Sequence, residues 1–195
     1  FSLPEFKPVV NDAAVYYYLS YQYYPLIESF FKGFYKLLPG YYLSIDLKSG
    51  IYQEKQYYKF RFEQNGSLKE EDTKKKILET MEDSVAHHLI ADVPVGSFLS
   101  GGIDSSIIAT LMQRIRGNKK IKTFTVGFES LSEGLEARES AEPLGTEHTE
   151  ITVGAKEYFE ALPKAIWHFD EPVADPSAIG LYFLAKEARK HVKVV

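Results

Sequence analysis

From residue 74 onward the apolar positions change their spacing repeatedly, and each change marks an element. Ile77, Leu78, Met81, Val85, His88 and Leu89 recur at helical intervals, which predicts a helix over 74–91. "VPVGSFL" at 93–99 is a continuous run of strand length. Ile107, Ile108, Leu111, Met112 and Ile115 return to helical spacing, Gly117-Asn118 ends that stripe, and "IKTFTVGF" at 121–128 predicts the next strand. The alternation continues through a helix at 133–144, a short strand in "EHTEIT", helices at 155–168 and 176–190, and a strand beginning in "VKVV". Such alternation predicts an α/β fold with a mainly parallel sheet and helices on both faces.

The first third of the chain follows another pattern. Twelve of the fourteen tyrosines precede residue 62. "AVYYYLSYQYYP" predicts a short helix stopped by Pro25, and the tyrosine-rich runs after Pro39-Gly40 and after Gly50 predict two strands, with the aromatic rings as packing. "EQNGSLKEEDTKK" is polar, contains Asn65-Gly66 and has no apolar period, so it predicts a linker. The expected organisation is a small β-rich segment over 1–62, a linker over 63–73 and an α/β domain over 74–195.

With 45% hydrophobic residues the chain can form one sizeable core or two modest ones. Its 23 basic and 27 acidic residues leave a net charge of -4 without a long block of one sign, so no nucleic-acid partner is expected. No run of about 18 apolar residues occurs and no signal peptide is recognisable, so no membrane partner is expected either. The absence of cysteine excludes disulfides, thiolate metal sites and a cysteine nucleophile within this chain, and it fits the cytoplasm. The chain opens on Phe1 and closes on a strand just beginning, so a piece of something longer is expected.

The chemistry concentrates in "SGGIDSS", residues 100–106, between a predicted strand and a predicted helix. Ligands of open α/β sheets bind beyond the carboxyl ends of the strands, where helix N-termini point unpaired amides outward. Gly101 and Gly102 permit close backbone approach and positive φ, while Ser100, Ser105 and Ser106 supply hydroxyl donors, a set suited to phosphate. Asp104 would repel a polyphosphate unless a cation bridged them, which makes it a candidate Mg2+ ligand. No G-x-x-x-x-G-K-[ST], G-x-G-x-x-G or G-x-S-x-G occurs, so a P-loop NTPase, a dinucleotide fold and an α/β-hydrolase are not indicated. The plainer reading is a tight turn with Asp104 and Ser105 capping a helix.

"SGGIDSS" after an apolar strand resembles the pyrophosphatase-type loop of ATP-dependent adenylating synthetases. Together with "DVPVGSFLSGGIDSS", "FTVGF", "LGTEH", "DEPVADPSAI" and "ARKHVKVV", it resembles the synthetase domain of glutamine-dependent asparagine synthetases from about Thr73 to Val195. "FKGFYKLLPGYYLSID" is similar to the end of the glutaminase domain that precedes it in that family. The resemblance implies a Rossmann-like, adenine nucleotide alpha hydrolase-like fold. It also implies adenylation of the aspartate side-chain carboxylate by ATP with Mg2+, release of pyrophosphate, and displacement of AMP by ammonia derived from glutamine. Ser100, Gly101, Gly102, Asp104, Ser105 and Ser106 would hold the pyrophosphate and its metal, with Leu99 and Val126 against the adenine. The family's cysteine nucleophile and its downstream acidic loop are not in this chain, which is expected to be inactive alone. A homodimer is a further expectation. The alternatives are a β-lactam synthetase or another adenylating amide-bond former, and a non-catalytic nucleotide-binding module.

Other candidates have plainer readings beside them. Glu171 in "HFDEPVADPSAI" is a candidate catalytic carboxylate, while Asp175-Pro176 reads as an N-cap followed by a first-turn proline. Adjacent His87 and His88 point about 100 degrees apart on a helix and suit packing or capping better than a shared metal. His148 lacks neighbouring ligand spacing and reads as structural, and Trp167 reads as core at a helix end.

Overall fold

The computed structural model describes residues 7–62, 69–129, 133–172 and 174–195, with the side chains of 133–136 left undescribed. Contacts divide the chain into two compact units, Phe1–Gly66 with Asp170–Asp175, and Ser67–Phe169 with Pro176–Val195.

In the first unit, α1 (Asp12–Tyr21) follows Asn11, which is buried and donates through Nδ2 to Glu28 Oε2 at 3.0 Å. The helix ends not at Pro25 but at Gln22, whose φ of 67° is left-handed and whose N–H bonds the Tyr18 carbonyl. Ala14, Tyr24 and Phe30 form a small core. The strands β1 (Tyr41–Ile45) and β2 (Tyr52–Gln56) pair antiparallel, with Leu43 opposite Glu54 and Ile45 opposite Tyr52. Both strands lie largely on the surface, so their aromatic residues do not all pack inward as expected.

The second unit begins with α2 (Glu70–His88), so the expected linker overlaps its first turn. Residues 63–68 of that linker lie outside the described set. Glu70, Glu71 and Asp72 occupy the first turn, where the helix dipole favours acids. There follow β3 (Gly96–Phe98), α3 (Ile103–Arg116), β4 (Lys122–Phe128), α4 (Glu133–Leu144), β5 (Glu147–Val153), α5 (Ala155–Phe169) and α6 (Ser177–Ala188). The strands form a parallel sheet in the order β3-β4-β5, and Val194 adds a parallel bridge to Val95.

Strand parity assigns the two faces. Leu99 and Ile121 point to a core shared with Val85 and Leu89 of α2, Ala109, Leu111 and Met112 of α3, and Ala141 of α4. Phe98, Phe124, Val126 and Ile151 point the other way, onto Leu184 and Ala188 of α6 and onto Val192. Gly180 lets α6 approach closely, since a Cβ there would lie 3.2 Å from the Phe128 ring. The result is the expected α/β architecture, a parallel sheet between helical layers. No helix among the described residues is long and apolar enough to cross a membrane.

Several surface details differ from expectation. Trp167 is 74% exposed, because the face of α5 that carries it points to solvent rather than into the core. Pro176, just ahead of α6, is already in helical conformation at φ -59° and ψ -28°, as a first-turn proline is. His87 and His88 are exposed, and their Nδ1 atoms lie 2.8 Å from the carbonyls of Asp83 and Ser84.

Candidate functional site

The glycine loop leaves the carboxyl end of β3 and enters α3 directly. Leu99, 1% exposed, anchors the strand end, and its N–H bonds the Phe124 carbonyl at 2.9 Å. The hydroxyl of buried Thr125 donates to the Leu99 carbonyl, so the residue that follows β3 is tied to β4 through both its N–H and its carbonyl. This fastening by Thr125 was not anticipated; the paired Thr123 and Thr125 on one face of β4 were its only signal.

Beyond Leu99 the chain turns through Gly101 at φ 79°, a conformation that costs an L-residue about 1–2 kcal/mol. Gly102 takes the N-cap position of α3 in extended conformation without a side-chain cap, and a Cβ there would lie 3.3 Å from Ser100 Oγ. The Ser105 hydroxyl lies 3.0 Å from Ser100 Oγ, accepts from the Ser100 N–H at 3.1 Å and donates to the Gly102 carbonyl at 3.1 Å. Ser100 Oγ accepts from the Gly102 N–H at 3.3 Å. The two serines thus brace the loop, which keeps its turn defined before any ligand arrives.

Two polar groups of the loop are left over. Asp104 is exposed in the first turn of α3 and has no hydrogen-bond or ion-pair partner among the described residues. Ser106 Oγ is buried without a partner. A free carboxylate and an unpartnered hydroxyl in one helical turn give the loop polar capacity that its own bracing does not use. Among the described residues no three His, Cys, Asp or Glu side chains cluster as a metal site. A cation at Asp104 would therefore take its other ligands from water and from a bound anion, as Mg2+ commonly does.

Other predicted residues separate. Extending the β3–β4 register past Phe98 and Phe124 sets Ser100 level with Val126 at the carboxyl edge of the sheet. The Leu99 and Val126 side chains lie on opposite faces of that sheet and pack in different cores, so they do not converge. Glu171 groups with the first unit, where its Oε2 accepts from Lys36 Nζ at 2.8 Å. His148 is structural in its contacts: Nδ1 lies 2.9 Å from Thr123 Oγ1, Nε2 is buried without a partner, and burial pushes its pKa down.

The profile of the asparagine synthase family matches residues 76–195, from within α2 to the last residue. The glutamine-hydrolysing asparagine synthetase 1 of Bacillus subtilis (strain 168) is 41% identical over 187 residues, which is 95% of this chain and 29% of that protein. A relative from Mycobacterium tuberculosis (strain ATCC 25618 / H37Rv) is 42% identical over 194 residues, 97% of this chain and 29% of that protein. Among solved structures, an NMN synthetase from Francisella tularensis superposes with a TM-score of 0.40 and 18% identity, covering 66% of this chain and 54% of its own. The chain thus spans less than a third of the length of these two curated relatives. The family match includes the braced glycine loop and the sheet that carries it, and the chain belongs to the asparagine synthase family.

Proposed function

We propose that this chain is the nucleotide-binding part of an enzyme that makes asparagine from aspartate, ATP and ammonia. The observation that carries the reading is the glycine loop: a left-handed Gly101 and an uncapped α3 N-terminus at the carboxyl edge of a parallel sheet, braced by Ser100 and Ser105. In this reading the loop amides and the hydroxyls of Ser100, Ser105 and Ser106 receive the pyrophosphate of ATP. The α3 dipole adds to their attraction for the anion.

The reaction follows from charge. An oxygen of the aspartate side-chain carboxylate attacks the α-phosphorus, the bond to the β-phosphate oxygen breaks, and pyrophosphate leaves with that electron pair. Ammonia then attacks the acyl carbon, AMP departs, and the nitrogen loses a proton. Fixed amides that meet the growing negative charge on pyrophosphate lower the first barrier without a protein nucleophile. The exposed carboxylate of Asp104 fits Mg2+, which would supply charge neutralisation for the phosphates when bound. Glu171, which accepts from Lys36, is retained as a candidate catalytic carboxylate.

Since Leu99 is closed off by its core, its part in adenine binding is confined to the backbone, while half-buried Val126 can offer its side chain. The chain has no cysteine, so release of ammonia from glutamine belongs to another part of the proposed enzyme. A cytoplasmic location and assembly as a homodimer complete the proposal.

The test is aspartate-dependent exchange of labelled pyrophosphate into ATP by the longer protein. Exchange that requires aspartate establishes the acyl-adenylate. A folded, ATP-binding protein that gives no exchange with aspartate would contradict the reading.

A further inference from the structure

The connection from α5 to α6, Asp170–Asp175, groups with the first unit, although both helices it joins belong to the second. Within it Glu171 is restrained in three ways. Asp170 before it has a left-handed φ of 61°, a conformation that non-glycine residues seldom adopt. Pro172 after it disfavours helical backbone at Glu171. Its Oε2 accepts a charge-assisted hydrogen bond from Lys36 Nζ at 2.8 Å. Among the described residues its other oxygen, Oε1, has no hydrogen-bond or ion-pair partner. The carboxylate is therefore fixed at one oxygen and available at the other.

Lys36 is itself held. Its N–H bonds the Ile27 carbonyl at 2.8 Å, beside the antiparallel bridge of Glu28 with Tyr35. Its Nζ lies 6.0 Å from the centre of the Tyr24 ring, which belongs to the small core of the first unit. The Lys36 and Glu171 side chains are 38% and 29% exposed, and ion pairs in contact with solvent contribute little to stability. Tethering the connection is thus a weak reason for the pair, whereas setting the direction of a carboxylate needs geometry rather than energy.

Of the substrates in the proposed reaction, ATP and the side-chain carboxylate of aspartate bring negative charge, which a carboxylate repels. The α-ammonium of aspartate and ammonia in its protonated form bring a positive nitrogen with N–H donors, which suits a free carboxylate oxygen. We infer that Oε1 of Glu171 receives a protonated amino nitrogen, and that Lys36 is the positioning residue that aims it. The inference rests on the proposed function and deepens it by naming the substrate class that Glu171 meets.

Steady-state kinetics of the longer protein carrying Lys36→Met test it in two arms. If the nitrogen is that of aspartate, the KM for aspartate in pyrophosphate exchange should rise about tenfold. If it is that of ammonia, exchange should be unaltered and the KM for ammonia in asparagine formation should rise about tenfold. In both arms the KM for ATP and the melting temperature should stay unchanged, and Lys36→Arg, which keeps a charged donor, should recover most of the loss. Glu171→Gln should reproduce the rise, and the double variant should be no worse than Glu171→Gln alone, because Lys36 acts only through Glu171. Unchanged KM values for aspartate and ammonia in Lys36→Met or in Glu171→Gln, an equal rise for ATP, or losses that multiply in the double variant would overturn the inference and leave the proposed function standing. A folded, ATP-binding wild type without aspartate-dependent exchange would overturn the proposed function and this inference with it.

Discussion

The two units use apolar side chains in opposite ways. In the second, β4 is closed in on both faces, with Thr123 at 0% and Phe124 at 1% exposure on adjacent positions. In the first, the β1–β2 hairpin leaves Leu43 43%, Ile45 53% and Tyr52 68% exposed. A two-stranded hairpin is marginal by itself in water, whereas a parallel sheet forms only with helices on its faces. The sheet can therefore hold a loop in a left-handed turn at its carboxyl edge. Among the described residues the hairpin has no comparable support, and it carries none of the glycine-loop chemistry.

This contrast can be broken first at the core. Phe124→Ala should destabilise the second unit by about 3–5 kcal/mol, and Leu99→Ala by about 2–5 kcal/mol, as followed by urea unfolding. Leu43→Ala in the hairpin should change stability by less than about 0.5 kcal/mol. Equal losses at the two sites would abolish the distinction between supported and unsupported strands.

The next effect falls on the loop. Gly101→Ala should cost about 1–2 kcal/mol from its left-handed φ and should also weaken ATP binding, because the backbone proposed to face the phosphates is displaced. Asp104→Ala sharpens the point from the other side: thermal stability should be unchanged while Mg2+-dependent nucleotide binding falls by an order of magnitude or more, roughly the cost of one charged contact. Calorimetric titration of ATP with and without Mg2+ separates the two variants. A drop in stability for Asp104→Ala would return that residue to a capping role.

The smallest effect is one of pH. Burial holds His148 below its ordinary pKa of about 6.5, so the unfolded chain binds a proton there that the folded chain refuses. This contribution to stability is present above that value and is lost as pH falls through it toward the folded pKa. The melting temperature should decline between about pH 7.5 and 5.5, and His148→Gln should flatten that slope. An unchanged slope in His148→Gln would assign the decline elsewhere.

Much of the second unit was legible because its periods are long and distinct: the stripe from Ile107 to Ile115 and the run through Phe124 correspond to α3 and β4. The loop was legible because its glycines and serines lie together in sequence. What escaped were features decided by tertiary geometry. That strand parity sends the Leu99 and Val126 side chains to opposite faces is one of them. Trp167 was assigned to the core by residue type, yet its place on α5 turns it to solvent. Glu171 was singled out as a reactive carboxylate, and its ion pair with Lys36 joins residues 135 apart in sequence. The end of α1 at Gln22 escaped because a left-handed glutamine carries none of the signal that a glycine would.

The most direct test is to record backbone amide resonances of this chain while adding magnesium pyrophosphate. The account predicts saturable shifts concentrated in Ser100 through Ser106, strongly reduced in Asp104→Ala, with the hairpin amides unmoved. Shifts spread over the surface or absent from the glycine loop, in a chain whose spectrum shows it folded, would contradict the claim that this loop is the pyrophosphate seat.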